Sequence, residues 1–463
     1  MDLFRQGIPI HGLPQTFQDV VIAVRAFGIR YVWIDALCII QDSPEDWERE
    51  GAMMRDVYTN SACTIAATAS ESPDQGLFRC RDPATILPKR ITAPSVGPRP
   101  NNDVEYLLFD RSFLERRIFD GPLHMRGWVF QERMLSPRVL HFTKDQLVWE
   151  CFTETKCETF PKGMPLQIHT KELGPRQSGN QMANTIEGGT QASATSSSHS
   201  LQSSTECNLT DWRTLSTWRE LVKQYSKCDL TYTTDKLPAL AGLAKAYQDT
   251  TGDAYLAGLW RSFLLDQLDW RVYTPGGRVS SQYRAPSWSW ASVDSPVRPF
   301  MLNPRSLFLP VINNIQVKTR GPEYFGRTLT AYLDLEGYLI HASIHSLDDE
   351  RIACQLQVGK HIVSGQLLRD TADTDFILGS AIICLPLKID AMAPDMYPLK
   401  DLVLFCMVLE PIHGTKSVEY QRVALLIVSA EGQQLEPFRS FGISINQDST
   451  FEVTEDYSII RIV

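Results

Sequence analysis

The segment from Tyr31 to Ala69 sets the tightest limits on how this chain folds. Arg30 to Ile34 is almost all apolar, with aromatic and β-branched residues, which predicts a short strand covered on both faces. A helix is predicted to follow, with Ser43 as its N-cap and Pro44 at its first position. Thr64 to Ala69 returns to small and β-branched residues, which predicts a second buried strand.

An amphipathic helix is predicted before the first of these strands. Gly28 suits the left-handed residue that ends such a helix. The order helix, strand, helix, strand predicts an α/β N-terminal domain. The apolar residues of the first helix share one face at helical spacing: Phe17, Val20, Val21, Val24 and Phe27.

Three polar residues follow the predicted strand: Asp35, Cys38 and Gln41. In open α/β sheets, ligands bind beyond the carboxyl ends of the strands, so these residues are candidates for a binding site. Structural roles are the alternatives. Asp35 would then be a cap or a partner of Arg126, Cys38 a small buried hydrophobe, and Gln41 a donor to loop carbonyls.

A second polar cluster lies between Leu123 and Cys151. Arg126 to Leu135 is predicted to be a short helix, and two strands, Val139–Phe142 and Gln146–Cys151, are predicted to form a hairpin after it. Arg126 and Glu132 either face a ligand or form an ion pair that holds the helix to the sheet. The residues at three- and four-residue spacing on this helix are Trp128, Gln131, Glu132 and Leu135.

Composition limits the partners and the location of the protein. The chain has 463 residues, of which 43% are hydrophobic, enough for more than one domain. Its net charge of -9 argues against nucleic acid or anionic membranes as main partners. We find no signal peptide and no apolar stretch long enough to span a bilayer, and the ten cysteines are irregularly spaced. These features predict a cytoplasmic protein with reduced thiols.

The chain divides into four parts that differ in composition and in the spacing of apolar residues. Residues 1–160 form the predicted α/β domain, and 174–206 are a Ser-, Thr- and Gln-rich insertion predicted to be disordered. Residues 207–294 are predicted to be helical, with the apolar pattern continuing through Leu256, Leu259, Trp260 and Phe263. Short apolar runs over 295–463 predict a β-rich C-terminal region.

Several spaced motifs together resemble the fungal heterokaryon incompatibility (HET) domain. They are WIDALCIIQD with the following DW, then M..VY.NS..TI.A, RGWVFQERMLSPRVLHF and LVWEC. The later pieces DKLPAL.GLA, YLAGLW and RAPSWSWASVD resemble the extension of long HET-domain proteins. HET domains usually begin with a strand that carries a motif like LSYCWG, and here that strand is missing before Leu13 and Pro14.

The resemblance implies non-self recognition and the triggering of cell death. HET domains have been compared with the Toll/interleukin receptor (TIR) fold, some members of which cleave NAD. By that analogy Glu132, with Asp35 and Arg126, is a candidate catalytic residue, and Cys38, Gln41, Trp128 and Gln131 are further pocket candidates. NAD would then be a substrate, and no cofactor is expected. The alternatives are protein partners or self-association without catalysis, a tailoring enzyme of secondary metabolism, or an inactive truncated copy.

Other chemistries have weaker support in the sequence. The phosphate-binding, nucleotide-binding, serine-hydrolase and zinc-protease motifs are absent. Cys151 and Cys157 lack a second pair of zinc ligands, so no metal site is expected. Cys38 with His124 or His141 would make a conceivable thiol pair. The run Ser287–Trp290 alternates like a half-buried strand, which indicates packing.

Overall fold

A computed structural model describes most of the chain. The described residues are 7–94, 103–108, 115–164, 209–272, 282–300, 302–320, 327–348, 352–374, 376–391, 402–414, 418–430, 436–445, 451–453 and 455–463. The predicted insertion at 174–206 lies outside them. No helix in these ranges is long and apolar enough to cross a membrane.

Three helices open the N-terminal region: α1 (Gln15–Ala26), the single turn α2 (Asp35–Cys38) and α3 (Pro44–Thr59). The predicted ends of α1 and α3 are confirmed. Gly28 takes the left-handed conformation just after α1, with φ of 69°. The Ser43 hydroxyl accepts the Asp46 N–H at 3.2 Å, and Pro44 is the first residue of α3.

The predicted buried strand at Arg30–Ile34 is wrong. The segment belongs to no strand, Tyr31 is 82% exposed, and Val32 is 42% exposed. A strand needs a neighbour to bond its N–H and C=O groups. In the described sheets no strand pairs with this segment, so Tyr31 and Val32 are left exposed while Trp33 and Ile34 are only half-buried.

A small mixed sheet and a separate hairpin follow. The strand order in the sheet is β1-β4-β5-β6, with β1 parallel to β4 and the other pairs antiparallel. The predicted helix and the hairpin after it are both present, so an α/β N-terminal region is confirmed. The elements are β1 (Thr64–Ala66), the β2–β3 hairpin (Lys89–Pro94, Asp103–Leu108), α4 (Gly127–Leu135), β4 (Arg138–Phe142), β5 (Leu147–Cys151) and β6 (Thr155–Cys157).

The middle region contains α5 (Leu209–Tyr225) and α6 (Ala241–Thr251), as the apolar spacing predicted. The predicted helical continuation through Leu256 and Trp260 is wrong, because β7 (Tyr255–Leu256) and β8 (Leu259–Trp260) form a hairpin. Ala257 and Gly258 between them have φ of 49° and 100°. Two successive residues at positive φ make the tight turn that joins antiparallel strands. This region ends with α7 (Leu264–Gln267), β9 (Arg271–Val272) and β10 (Val297–Arg298).

The run Ser287–Trp290 packs into the core, as predicted, but it is not a strand. Ser289 is buried at 0% exposure like its neighbours Trp288 and Trp290, at 0% and 1%, so successive side chains do not alternate between core and solvent. The Trp290 indole donates to the Gly258 carbonyl at 2.9 Å, and the Ser289 hydroxyl donates to that of Ala257 at 2.5 Å. These bonds fasten the run to the β7–β8 turn.

The C-terminal region is β-rich, as predicted, and it contains a closed barrel of six strands. Around the barrel the order is β14-β15-β16-β19-β18-β17 and back to β14. The strands are β11 (Leu307–Phe308), β12 (Val311–Arg320), β13 (Arg327–Gly337), β14 (Ile340–Leu347), β15 (Ala353–Val358), β16 (His361–Arg369), β17 (Ala381–Ala391), β18 (Leu402–Ile412), β19 (Glu419–Ala430), β20 (Ile443–Ile445), β21 (Phe451–Val453) and β22 (Ser458–Ile462), with helix α8 (Glu436–Ser440) before β20.

Alternate residues of the barrel strands belong to two cores. Leu404, Cys406 and Leu426 join the cluster inside the barrel. Their chain neighbours Phe405 and Leu425 join a second cluster together with the buried aromatics of the middle region. The barrel therefore has its own interior while one outer face packs against the middle region.

Buried charged side chains hold the barrel to the middle region. Asp269 accepts hydrogen bonds from Arg219 of α5 at 2.8 Å and from Lys388 of β17 at 2.9 Å. Arg422 of β19 pairs with Asp370 at 2.9 Å and stacks over Trp270, with its guanidinium carbon 3.5 Å from the ring centroid. Such groups resist separation, because each charge would lose its partner.

Candidate functional site

Four polar side chains from three helices interact electrostatically in the N-terminal region. They are Asp35 at the start of α2, Tyr58 near the end of α3, Arg126 just before α4, and Glu132 within α4. The Tyr58 hydroxyl lies within hydrogen-bonding reach of the Glu132 carboxyl, and the charges of Asp35 and Arg126 act on both groups. We name these four residues the Glu132 cluster. The charges of Asp35 and Arg126 thus act on Glu132, the third residue proposed as catalytic from the sequence.

The environment of Glu132 moves its titration to neutral pH. Burial raises the pKa of its carboxyl to about 7; the Tyr58 hydrogen bond and Arg126 oppose this rise, and the negative charge of Asp35 adds to it. Burial also raises the pKa of Tyr58 well above its usual value, so the phenol stays a donor. A carboxyl group with a pKa near 7 can take up or release a proton at the pH of a cell.

Aromatic contacts join the segments that carry the Glu132 cluster. Trp33 contacts Tyr58 edge to face, with ring centroids 5.7 Å apart, and Trp47 contacts Trp128 in the same way at 5.8 Å. The Trp128 indole also donates to Asp235 at 3.3 Å, which ties α4 to the middle region. These contacts give Trp128, a predicted pocket residue, a structural role.

Gln131, also predicted to line a pocket, is buried in a contact between helices. Its side-chain oxygen accepts the backbone N–H of Gly242, in α6, at 2.6 Å. A Cβ at Gly242 would lie 2.9 Å from that oxygen and 3.1 Å from Cβ of Arg55. The bond therefore needs glycine at position 242, and Gln131 fixes α4 against α6.

Two helical glycines should respond to alanine in opposite ways. Gly242→Ala is expected to lower the free energy of unfolding by about 1–3 kcal/mol, because the methyl group displaces the buried Gln131 amide. Gly51→Ala in α3 is expected to leave it unchanged or raise it by up to about 1 kcal/mol, since its Cβ meets nothing within 4 Å. Urea denaturation of both variants measures this difference. Equal effects at the two positions would contradict the role given to Gln131.

Gln41 and Cys38 lie on the surface beside α2. The Gln41 amide donates to the backbone carbonyls of Asp35 at 3.2 Å and Ile39 at 3.0 Å, so it supports the loop that carries Asp35. Cys38 is exposed, and its interpretation as a small buried hydrophobe is wrong. The reason is that Arg30–Ile34 does not form a strand, so the turn after Ile34 is not packed into a sheet.

A buried polar network beside the Glu132 cluster is not predicted from the sequence. Arg133 donates to Glu150 at 2.8 and 2.5 Å, and His141 contacts the same carboxylate at 3.0 Å. The other ring nitrogen of His141 lies 3.1 Å from the Thr68 hydroxyl and 3.3 Å from His124. All five side chains are buried. We name them the Glu150 network.

The Glu150 network is charged at one end and neutral at the other. Burial alone would raise the pKa of Glu150, but Arg133 and His141 hold it well below its usual range. Burial, with the charges of His141 and Arg133, lowers the pKa of His124, which is therefore neutral at pH 7. Because both histidines are buried here, the conceivable thiol pair with exposed Cys38 is wrong. The sequence offered one signal for this network: His141 and Glu150 lie at inward-facing positions of β4 and β5, where apolar residues are usual.

Comparison with known proteins identifies the N-terminal region. Residues 2–132 match the family model described as Heterokaryon incompatibility protein (HET). Neither the curated proteins nor the solved structures contain a match. Within the described residues, no group of three or more His, Cys, Asp or Glu side chains could hold a metal ion. The matched segment, which contains all four residues of the Glu132 cluster, is a heterokaryon incompatibility (HET) domain.

Proposed function

We propose that this protein triggers cell death during heterokaryon incompatibility, and that the Glu132 cluster does so by hydrolysing NAD. The family match supports a role related to heterokaryon incompatibility. The observation that carries the chemical part is the electrostatic interaction among two acids, a guanidinium and a phenol carried by α2, α3 and α4. Such groups in one place suit a ligand with both hydroxyl and phosphate groups.

Each side chain has a distinct task in the proposed reaction. Arg126 binds the diphosphate, and Asp35 accepts hydrogen bonds from a ribose hydroxyl. The bond between the ribose anomeric carbon and the nicotinamide nitrogen breaks, and its electron pair leaves with the nicotinamide. The Glu132 carboxylate stabilises the oxocarbenium-like centre and takes a proton from the water that adds there. Tyr58 holds Glu132 in position. The products are nicotinamide, ADP-ribose and a proton.

Inducible expression in a filamentous fungus tests the whole proposal. We expect the intact protein to reduce the number of viable cells at least tenfold, and Glu132→Gln to restore survival at equal protein level. Glu154→Gln is the matched control, because this side chain is 44% exposed and forms an ion pair only with nearby Lys156 among the described residues. Equal survival with the intact protein and with Glu132→Gln would contradict the proposal.

Protein binding without catalysis is a second candidate, favoured by exposed apolar side chains on and just before the Arg30–Ile34 segment. They are Ile22, Phe27, Tyr31 and Val32, between 42% and 82% exposed. Exposed apolar side chains that lie together mark contact surfaces. Under this candidate, Glu132→Gln would still kill cells, whereas Tyr31→Lys with Val32→Lys would not.

A further inference from the structure

A cavity of about 540 Å³ lies apart from the Glu132 cluster. Its walls come from the β2–β3 hairpin, the chain just before that hairpin, the Glu115–Phe119 turn and the loop at Phe160. Its volume falls within the range of small-molecule sites. Neither the family match nor the proposed reaction uses it.

The cavity is positively charged on a chain that is negatively charged overall. Lys89, Arg116 and Arg117 line it, and no Asp or Glu is among the lining residues. The whole chain carries a formal charge of -9. Arg117 also pairs with Asp145, whereas Lys89 forms no ion pair with any residue that the structure describes. This local reversal of charge favours an anionic ligand.

Large apolar side chains stand beside these cations. Leu87 and Leu108 line the cavity while remaining 69% and 52% exposed, and Phe160 lines it as well. Leaving such side chains in water is unfavourable, by about 25 cal/mol for each Å² of apolar surface that a ligand could cover. A ligand that fits this cavity therefore combines an anionic head with an apolar body.

We propose that this cavity binds an alkyl phosphate, with the phosphate on Lys89 and Arg116 and the aliphatic chain against Leu87, Leu108 and Phe160. Ammonium and guanidinium groups both bind phosphate well, and arginine can do so through two parallel hydrogen bonds. The same chemistry occurs in a free alkyl phosphate and in the headgroup region of an anionic lipid. The site lies outside the Glu132 cluster, so it does not depend on the proposed reaction.

Calorimetry with octyl phosphate, below its micelle concentration, tests the proposal on the full chain. We expect saturable binding to one site, and at least tenfold weaker binding to the double variant Lys89→Gln, Arg116→Gln. Arg90→Gln is the matched control. Arg90 lies on the same strand as Lys89, but it does not line the cavity and it pairs with Glu105. Inorganic phosphate should bind at least tenfold more weakly than octyl phosphate, because it lacks the apolar body.

Two further arms separate the sources of the ligand. If the protein binds vesicles of phosphatidylcholine with phosphatidic acid, and octyl phosphate competes with this binding, the ligand is a lipid headgroup. If the protein binds octyl phosphate but not the vesicles, the ligand is a free alkyl phosphate. The proposal is overturned if the folded intact chain does not bind octyl phosphate. It is equally overturned if the double variant, with an unchanged circular dichroism spectrum, binds as tightly as the intact chain.

Discussion

Replacing Glu150 with glutamine is expected to lower the free energy of unfolding by about 3–5 kcal/mol. Arg133 would remain buried, at 2% exposure, without the carboxylate that now accepts two of its hydrogen bonds. Removing one partner of a buried ion pair is costly because the other charge stays in a poorly solvated place. Urea denaturation with the linear extrapolation measures the loss.

Glu154→Gln is the control for this variant. That side chain is 44% exposed, so losing its ion pair with Lys156 should change stability by less than about 1 kcal/mol. The pKa of Glu150 is lower in the folded than in the unfolded state. The contribution of Glu150 is therefore complete above about pH 4.5, the usual carboxyl pKa, and is lost as the pH falls below it. A Glu150→Gln protein as stable as the Glu154→Gln protein at pH 7 would refute the role of the network.

Glu132→Gln is expected to reduce nicotinamide release from NAD at least 100-fold while changing stability far less than Glu150→Gln does. An amide carries no negative charge to stabilise an oxocarbenium-like centre and cannot accept the proton from water. In the intact protein the rate should rise with pH through about 7, as the Glu132 carboxyl ionises. High-performance liquid chromatography of the released nicotinamide gives both results.

The charge of Arg126 offers an internal check on this prediction. Because Arg126 lowers the pKa of Glu132, Arg126→Gln should move the rise in rate to higher pH. Arg138→Gln, which removes an exposed cation from β4, should leave the pH profile in place. A rate of nicotinamide release that does not change between pH 6 and pH 8, or that is unchanged by Glu132→Gln, would exclude Glu132 from the chemistry.

Local signals in the sequence predicted local structure well. The Ser43 cap, the Pro44 start and the left-handed Gly28 each depend on a few neighbouring residues, and all three are present. The β4–β5 hairpin is present too, since its short link joins adjacent antiparallel strands. The grouping of Asp35, Arg126 and Glu132 came instead from the resemblance to HET domains and the TIR analogy, and the strand predicted to place Asp35 at a sheet edge is not formed.

Features that depend on distant partners could not be predicted in the same way. Arg30–Ile34 has the composition of a buried strand, yet no described strand bonds to it, and Tyr31 is exposed. The Glu150 network joins residues up to 82 positions apart in the chain, from Thr68 to Glu150, through a parallel strand pairing. Gln131 and Trp128 share the face of Glu132 on the helix, but their partners Gly242 and Asp235 lie about a hundred residues away. Sequence spacing alone does not reveal such contacts.

Binding of ADP-ribose, measured by isothermal titration calorimetry, tests the central claim most directly, namely that Asp35, Arg126 and Glu132 form one ligand site. This product of the proposed reaction has the ribose and diphosphate groups but no bond left to hydrolyse at the nicotinamide position. We predict that Asp35→Asn, Arg126→Gln and Glu132→Gln each weaken binding at least tenfold, whereas Asp42→Asn, Arg138→Gln and Glu154→Gln do not. No binding to the intact folded chain, or equal binding to all six variants, would contradict the account.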